Sequence, residues 1–305
     1  MKKLIATSVI GIILFGFANT VLRAQAMNLV EKEEVYTKQH IPQKKPIPYP
    51  FVREADVYWE KTIWRVINLK EKMNQDLYFP TQNIGDRKNL VNLILEVIQN
   101  PEPEHPVYAY APTLYSTEYE FARPLSVEEA LREVADSTFE TYRDSITGQA
   151  VTEATGYGVN ASKVQNITKL YVKEKWFIDR RRSVLDVRIL GICPVLITPE
   201  EVLNPQTQNY EPTGAFLNQP LFWIYYPEFR YYFSRNFIFN SHNDAQPVSY
   251  DDLFMQRKFS SYIYRESNVY NNRDVISYAT GMDAMFEAER INNDIRIKEH
   301  DLWEY

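Results

Sequence analysis

The sequence has 305 residues, of which 45% are hydrophobic, 14% aromatic and 24% charged, and its formal net charge is -6. A chain of this length can bury a core without cross-links, and its single cysteine, Cys193, excludes an internal disulfide. The acidic balance argues against binding to nucleic acid or unaided binding to anionic lipid, because basic residues supply most of that affinity.

Residues 1–26 have the organisation of a secretory signal peptide. Lys2 and Lys3 precede an apolar run, and Ala24 and Ala26 form the small-residue pattern of a cleavage site. The apolar run is shorter than the ~20 residues that span a membrane, and no cysteine follows it at a position for lipid attachment. We therefore expect cleavage after Ala26 and a soluble periplasmic protein, and the alternative is an uncleaved anchor helix.

Residues 27–50 predict an extended N-terminal arm. The segment is charged, has little apolar periodicity and ends in four closely spaced prolines at positions 42, 46, 48 and 50. Proline favours a polyproline-like conformation over helix or sheet. The arm is either a simple tether or an extension that lies on a neighbouring subunit.

Residues 51–80 open the predicted main domain, 51–305, and their pattern predicts an amphipathic helix. At about 100° per residue, Trp59 falls on the main apolar stripe, which we expect to face the core. Val57 and Trp64 fall on a second flank and Tyr58 on a third. Either other parts of the chain cover these flanks, or another protein does.

The next segments predict two helices and a strand. Apolar residues at helical spacing over Leu90–Ile98 predict the first helix. Ser126 followed by Glu129 predicts a capping box at the start of the second. Alternation in the intervening PVYAYAPTLYSTEYEF predicts a strand, and the polar, glycine-containing residues 141–165 predict a mobile surface loop.

The centre of the sequence predicts β-structure. The segments ITKLYVKEKWFID and SVLDVRILGICPVLI form a predicted hairpin with Arg180–Arg182 at its turn, and LFWIYYPEFRYYF is a predicted third strand. Two predicted helices follow: the segment PVSYDDLFMQRKFSSYIYRES, capped by Ser249, and a last helix over Asp274–Arg290, which has Met282, Met285 and Phe286 on one face. The predicted fold is α+β, with helices before and after a small central antiparallel sheet.

No catalytic, metal or cofactor site is predicted. The four histidines lack the spacing of a zinc site, and no glycine-rich phosphate loop is present. Glu228 and the pair Asp251–Asp252 could serve a hydrolase of cell-wall sugars, but acids at a helix start are favoured by the helix dipole alone. We predict a non-enzyme, and the alternative is a periplasmic protein that binds or hydrolyses peptidoglycan.

The aromatic content predicts a surface for protein partners. Tyrosine and tryptophan combine an apolar body with a polar group, which suits interfaces, and the chain contains 22 tyrosines. The candidate partner interface combines the charged and apolar flanks of the opening helix with the paired tyrosines of the third strand: Arg53, Val57, Tyr58, Trp64, Arg65, Tyr225, Tyr226, Tyr231 and Tyr232.

Several segments, in order along the chain, resemble the GldN family of gliding motility proteins, called PorN in non-gliding relatives. They are VREADVYWEKTIWRVINLKEKMN, RRSVLDVRILGICP, LFWIYYPEFR, NDA at 243–245, YDDLFMQRKFSSYIYRESNVYNN and EHDLW. The resemblance extends from Val52 to Trp303, which is most of the chain.

This resemblance implies a periplasmic component of the type IX secretion system. Members of the family form a ring with a GldK/PorK-type lipoprotein beneath the outer membrane, and the ring meets the periplasmic part of a GldM/PorM-type motor protein. We therefore expect self-association through the ring and membrane attachment only through the lipoprotein. No cofactor is implied.

Overall fold

A computed structural model of the chain describes residues 43–85, 87–112, 120–143, 150–203, 210–240, 243 and 246–302, without the side chains of 137–157 and 201–212. The predicted cleavage site at Ala24 and Ala26 and most of the predicted arm lie outside these residues.

Most strands belong to one sheet of eight strands. They are β1 Val57–Asn68, β2 Ala109–Tyr110, β3 Pro124–Leu125, β6 Ile167–Asp179, β7 Val184–Leu203, β8 Tyr210–Pro220, β9 Trp223–Tyr225 and β12 Tyr262–Glu266. Their order is β12-β1-β6-β7-β9-β2-β3, β8 pairs with β7 outside this path, and neighbours run antiparallel.

Two further hairpins and seven helices complete the described secondary structure. The hairpins are β4 Ala135–Arg143 with β5 Ala150–Val159, and β10 Phe237–Ile238 with β11 Val248–Ser249. The helices are α1 Gln75–Tyr78, α2 Leu90–Gln99, α3 Val127–Leu131, α4 Ala161–Gln165, α5 Tyr226–Arg235, α6 Tyr250–Met255 and α7 Met282–Asp301. Short 3₁₀ turns lie at Glu54–Asp56, Lys72–Asn74 and Val275–Ser277.

The predicted α+β class is confirmed, but the sheet is not small. The sequence predicted its central hairpin correctly, because β6 and β7 pair along their length with Arg180–Arg182 at the turn. It missed the strands β1 and β12, which it assigned to helices. These two strands extend the sheet beyond β6 and form one of its edges.

The predicted opening helix is wrong, because Val57–Asn68 is strand β1. Successive side chains of β1 enter different clusters: Ile63 packs with Ile263, while Trp64 packs with Cys193 and Trp223. Side chains of a strand alternate between its two faces, and here both faces are covered. A strand buried on both faces has apolar residues in every helical direction, which explains the several apolar sides of the predicted helix.

The predicted loop 141–165 is also wrong where the structure describes it. Its residues include the ends of the β4–β5 hairpin and helix α4. Asn160 caps this helix, since its side-chain oxygen accepts from the backbone N–H groups of Ser162 and Lys163. Thr152 and Thr155 are therefore strand residues and Asn160 is a helix cap, roles that suit these residue types.

The predicted third strand changes into a helix after three residues. Strand β9 ends at Tyr225, and α5 begins at Tyr226 with Pro227 in its first turn. Proline suits the first turn of a helix because the N–H it lacks would have no partner there. The aromatic pattern alone did not reveal this change.

The capped helices are confirmed. Helix α2 begins after Asn89, and both Ser126 and Ser249 form full capping boxes, with Glu129 and Asp252 as their partners. These signals were readable because each is made by residues within one turn of one another. Among the described residues, no helix has both the length and the apolar character that a membrane crossing requires.

The main core lies between one face of the sheet and helices α2, α5 and α6. Its members include Ile67, Leu170 and Ile192 of the sheet, Ile94 of α2 and Phe229 of α5. A smaller cluster joins the edge of the same sheet to α7 through Ile63, Ile263, Val275, Ile291 and Ile295. Helix α7 is therefore attached to the sheet mainly through its second half.

We expect Trp64→Ala to lower the free energy of unfolding by about 3–5 kcal/mol, because it removes a buried aromatic side chain. Trp64 is 4% exposed, whereas Trp59 is only partly buried, so Trp59→Ala should cost less. The reverse order followed from the helical interpretation. Urea unfolding of both variants measures the difference. Tyr58, 76% exposed on the same strand, gives the control: Tyr58→Ala should change stability by no more than about 0.5 kcal/mol.

Candidate interaction surface

A buried carboxylate, Glu174, connects several elements of the sheet region through ion pairs and hydrogen bonds. It lies on β6, is completely buried, and forms ion pairs with Arg65 at 3.0 Å and Arg257 at 2.8 Å. The indole N–H of Trp176 also donates to its Oε2 at 2.9 Å. Burial lowers the pKa of Arg65, and the negative charge of Glu174 partly opposes this shift. Two cations and an indole thus compensate one buried anion.

The same network reaches helix α7. The Nη2 of Arg65 donates to Oδ1 of Asn292 at 3.1 Å. Arg65 was placed in the candidate partner interface, but it is buried and its guanidinium binds groups of its own chain. The hydrogen bond from Arg65 to Asn292 therefore connects β1 to α7.

The opposite face of the sheet carries a second buried carboxylate. Glu120 accepts from the indole N–H of Trp64 at 2.7 Å and forms an ion pair with Lys173. The Lys173 ammonium also lies 5.2 Å from the centre of the Trp64 ring. Trp64 therefore has its apolar body and its single donor satisfied inside the subunit.

A groove of about 850 Å³ lies beside strand β12. Ser261 and the β12 residues Tyr262–Arg265 line it, together with Val66, Tyr171 and Trp223 of the sheet. The other side is the first half of α7. Since β12 is the last strand in the order of the sheet, the groove follows a sheet edge.

The helix side of this groove is apolar and exposed. Met282, Met285 and Phe286 line the groove and are 62%, 66% and 60% exposed. The sequence placed them on one face of the last helix, and the structure leaves that face exposed. The buried stripe of α7 runs instead through Ala284, Ala288, Ile291 and Ile295. This spacing of four, three and four residues was readable in the sequence and could have placed the Met and Phe side chains outside.

Polar groups in the groove mostly have partners. Arg265 forms an ion pair with Asp274, and Lys169 donates to Oδ1 of Asn218 at 3.0 Å. Tyr171 lies against Tyr264 with ring centres 4.8 Å apart, and burial raises its pKa to about 12, helped by neighbouring Cys193. Glu289 lies at the helix side. The groove is therefore an apolar surface over satisfied polar groups, which suits a protein ligand rather than a reacting group.

The nine residues of the candidate partner interface do not form one surface. Arg53 and Tyr58 are exposed, and Val57 and Tyr225 are partly buried. Trp64, Arg65, Tyr226 and Tyr232 are buried, and Tyr231 is partly buried. A partner role for these side chains stays a prediction, and Arg53 and Tyr58 are the most accessible of them.

The tyrosines of α5 have partners within the subunit. Tyr226 donates to Oδ1 of Asp251 at 2.9 Å, and Tyr231 donates to Oε2 of Glu102 at 2.9 Å. The hydroxyl of Tyr232 accepts from the backbone N–H of Glu102 and donates to the carbonyl of His105, both at 2.8 Å. High tyrosine content thus reflects internal cross-connections as well as surface.

Comparison with known proteins identifies the family. The sequence matches the family described as "Gliding motility associated protein GldN" over residues 52–304. The chain belongs to this family. It is therefore a component of the gliding motility and type IX secretion machinery, and its family is a structural one. No curated protein was found to match the sequence.

Two of the three carboxylates considered for a hydrolase, Asp251 and Asp252, have structural roles in this GldN-family chain. Asp251 is 4% exposed and accepts two hydrogen bonds from Arg230, at 2.9 and 3.0 Å. Asp252 closes the capping box of α6. Burial raises the pKa of Glu228. Within the described part of the chain, no group of three His, Cys, Asp or Glu side chains could hold a metal ion.

We expect Glu174→Gln to destabilise the GldN-family domain by about 3–5 kcal/mol, because it leaves two buried or half-buried arginines without their shared anion. The matched control is Glu60→Gln. Glu60 forms an ion pair with Lys175, and its side chain is 55% exposed. That change should cost no more than about 1 kcal/mol. Urea unfolding compares them. Equal costs would show that the Glu174 network adds nothing beyond a surface ion pair.

Proposed function

We propose that this GldN-family protein is a periplasmic subunit of a ring, formed with a GldK/PorK-type lipoprotein at the inner face of the outer membrane and contacted by a GldM/PorM-type motor protein. Family membership supports a role in this machinery. The resemblance described above supports the individual partners and the ring. The signal-peptide pattern that ends at Ala26 supports export.

The observation that carries the proposal is the apolar groove beside β12. Fully burying a Met or Phe side chain is worth about 1.5–3 kcal/mol, and three such side chains line the groove in exposed positions. Methionine adapts its shape to a partner more easily than branched residues do. A groove with an apolar helix on one side and a sheet edge on the other suits a protein segment. We assign it to the lipoprotein.

The proposed location gives a first prediction. The mature protein should begin at Met27, because the signal peptidase recognises small residues such as Ala24 and Ala26 before the cut. Mass spectrometry of the protein from the periplasm measures its N-terminus. An intact Met1 or a lipid on the N-terminus would contradict cleavage and attachment through a partner.

The groove gives a second prediction. The double change Met285→Asp and Phe286→Asp should weaken co-purification with the lipoprotein by at least about thirtyfold, the effect of losing an interface anchor worth about 2 kcal/mol. The melting temperature of the lone subunit should change little, since both side chains are exposed. The two proteins are co-expressed, and their affinity is measured after purification.

Ile297→Asp is the matched control for that experiment. Ile297 lies on the same helix, is 53% exposed and does not line the groove. It should bind the lipoprotein as the unchanged chain does. Retained binding by the double variant would contradict the assignment of the groove, and loss of ring closure alone would assign the groove to a neighbouring copy.

A further inference from the structure

The residues Lys44–Pro50, here called the strap, lie on the domain without forming helix or strand. Three of them are prolines, at positions 46, 48 and 50. Proline has no N–H, so this segment cannot form a regular strand ladder. Donors that reach its carbonyls and groups that contact its side chains can hold it instead.

The domain supplies such donors from α5 and β7. The Nη2 of Arg230 donates to the carbonyl of Ile47 at 2.7 Å, and Nη2 of Arg188 donates to that of Pro50 at 2.6 Å. The hydroxyl of Ser234 lies 3.3 Å from the carbonyl oxygen of Lys44, and its closer acceptor, at 2.9 Å, is the carbonyl of Tyr231. These contacts use carbonyl groups of the strap, so the N–H groups that its prolines lack are not needed.

Two side chains of the strap add specificity. The ring of Tyr49 has the guanidinium of Arg230 4.3 Å and that of Arg188 5.0 Å from its centre. Cation–ring contacts of this kind strengthen as water is excluded, and burial raises the pKa of Tyr49. Lys44 forms an ion pair with Asp252 and donates to Oγ of Ser249 at 3.2 Å.

Three of the residues that hold the strap are fixed by contacts within the domain. Arg230 is held by Asp251, which also accepts from Tyr226. Ser249 and Asp252 are oriented by the capping box of α6. Groups that are already ordered lose little entropy on binding. These residues are therefore ordered by the domain itself, as in a binding site for a separate peptide.

We propose that Arg188, Arg230, Ser234 and Asp252 form a binding site for an extended, proline-rich peptide, and that the strap of the same chain occupies it. Docking of proline-rich segments against aromatic and polar surfaces is a general recognition mode. Occupation of the site holds Lys44–Pro50 against α5 and β7. The proposal concerns the chain alone and does not depend on a partner.

A labelled peptide with the sequence of residues 44–51 tests the site. Fluorescence anisotropy should show saturable binding to the full chain carrying Tyr49→Ala, whose own strap is weakened. Binding to the unchanged chain should be at least about tenfold weaker, because its tethered strap competes at high effective concentration. Tyr58→Ala, which removes an exposed tyrosine elsewhere, should behave as the unchanged chain.

A second peptide that itself carries the Tyr49→Ala change should bind the open site at least about tenfold more weakly, through loss of two cation–ring contacts. The proposal is overturned if the first peptide fails to saturate the Tyr49→Ala chain, or if it binds that chain and the unchanged chain equally.

Trypsin measures the occupied state in the full chain. It cleaves after lysine, and the bond between Lys44 and Lys45 lies within the strap. Tyr49→Ala should speed this cleavage by about tenfold or more, whereas Tyr49→Phe should leave it slow, because the ring makes the contacts. Phe51→Ala, at a 78% exposed position just after the strap, is the control. Equal rates for Tyr49→Ala and the unchanged chain would show that the strap is not held by this site.

Discussion

The ion pairs of Glu174 are the constraint on which the arrangement of the sheet and its last helix depends. A single carboxylate on β6 binds Arg65 of β1 and Arg257, which lies between α6 and β12. Arg65 then binds Asn292 of α7. Burying such charges costs free energy that is recovered only if every partner is in place. The network therefore favours one arrangement of these elements over near alternatives.

Because α7 is held in this way, its two halves have different surroundings. The second half packs through Ile291 and Ile295 against the sheet edge, while the first half presents Met285 and Phe286 beside it. A helix with low overall hydropathy can hold an exposed apolar segment in place only if other residues anchor it. The groove is thus a result of where the helix is attached, and its shape follows from residues that do not line it as well as from those that do.

Local signals in the sequence predicted local structure well. The capping boxes of Ser126 and Ser249 and the β6–β7 hairpin are made by residues close in sequence, so their patterns survive folding. Strand β1 was misread because both of its faces are buried, and burial on two faces is decided by distant segments. The candidate tyrosines were misread for a related reason. Composition does not distinguish a tyrosine that is buried with its hydroxyl hydrogen-bonded from a tyrosine at an interface. The GldN resemblance did not depend on these assignments, because it compares residues in order.

The position of Cys193 has a practical consequence. Its side chain is completely buried between β-strands, and burial raises the pKa of its thiol. Thiol reagents attack the ionised form and need access, so this sulfur is protected in the folded chain. A single cysteine introduced at an exposed position, such as Tyr58, would carry a spectroscopic label alone, with the native cysteine left in place. Pairs of such labels could then follow distances within an assembled complex without disturbing the core.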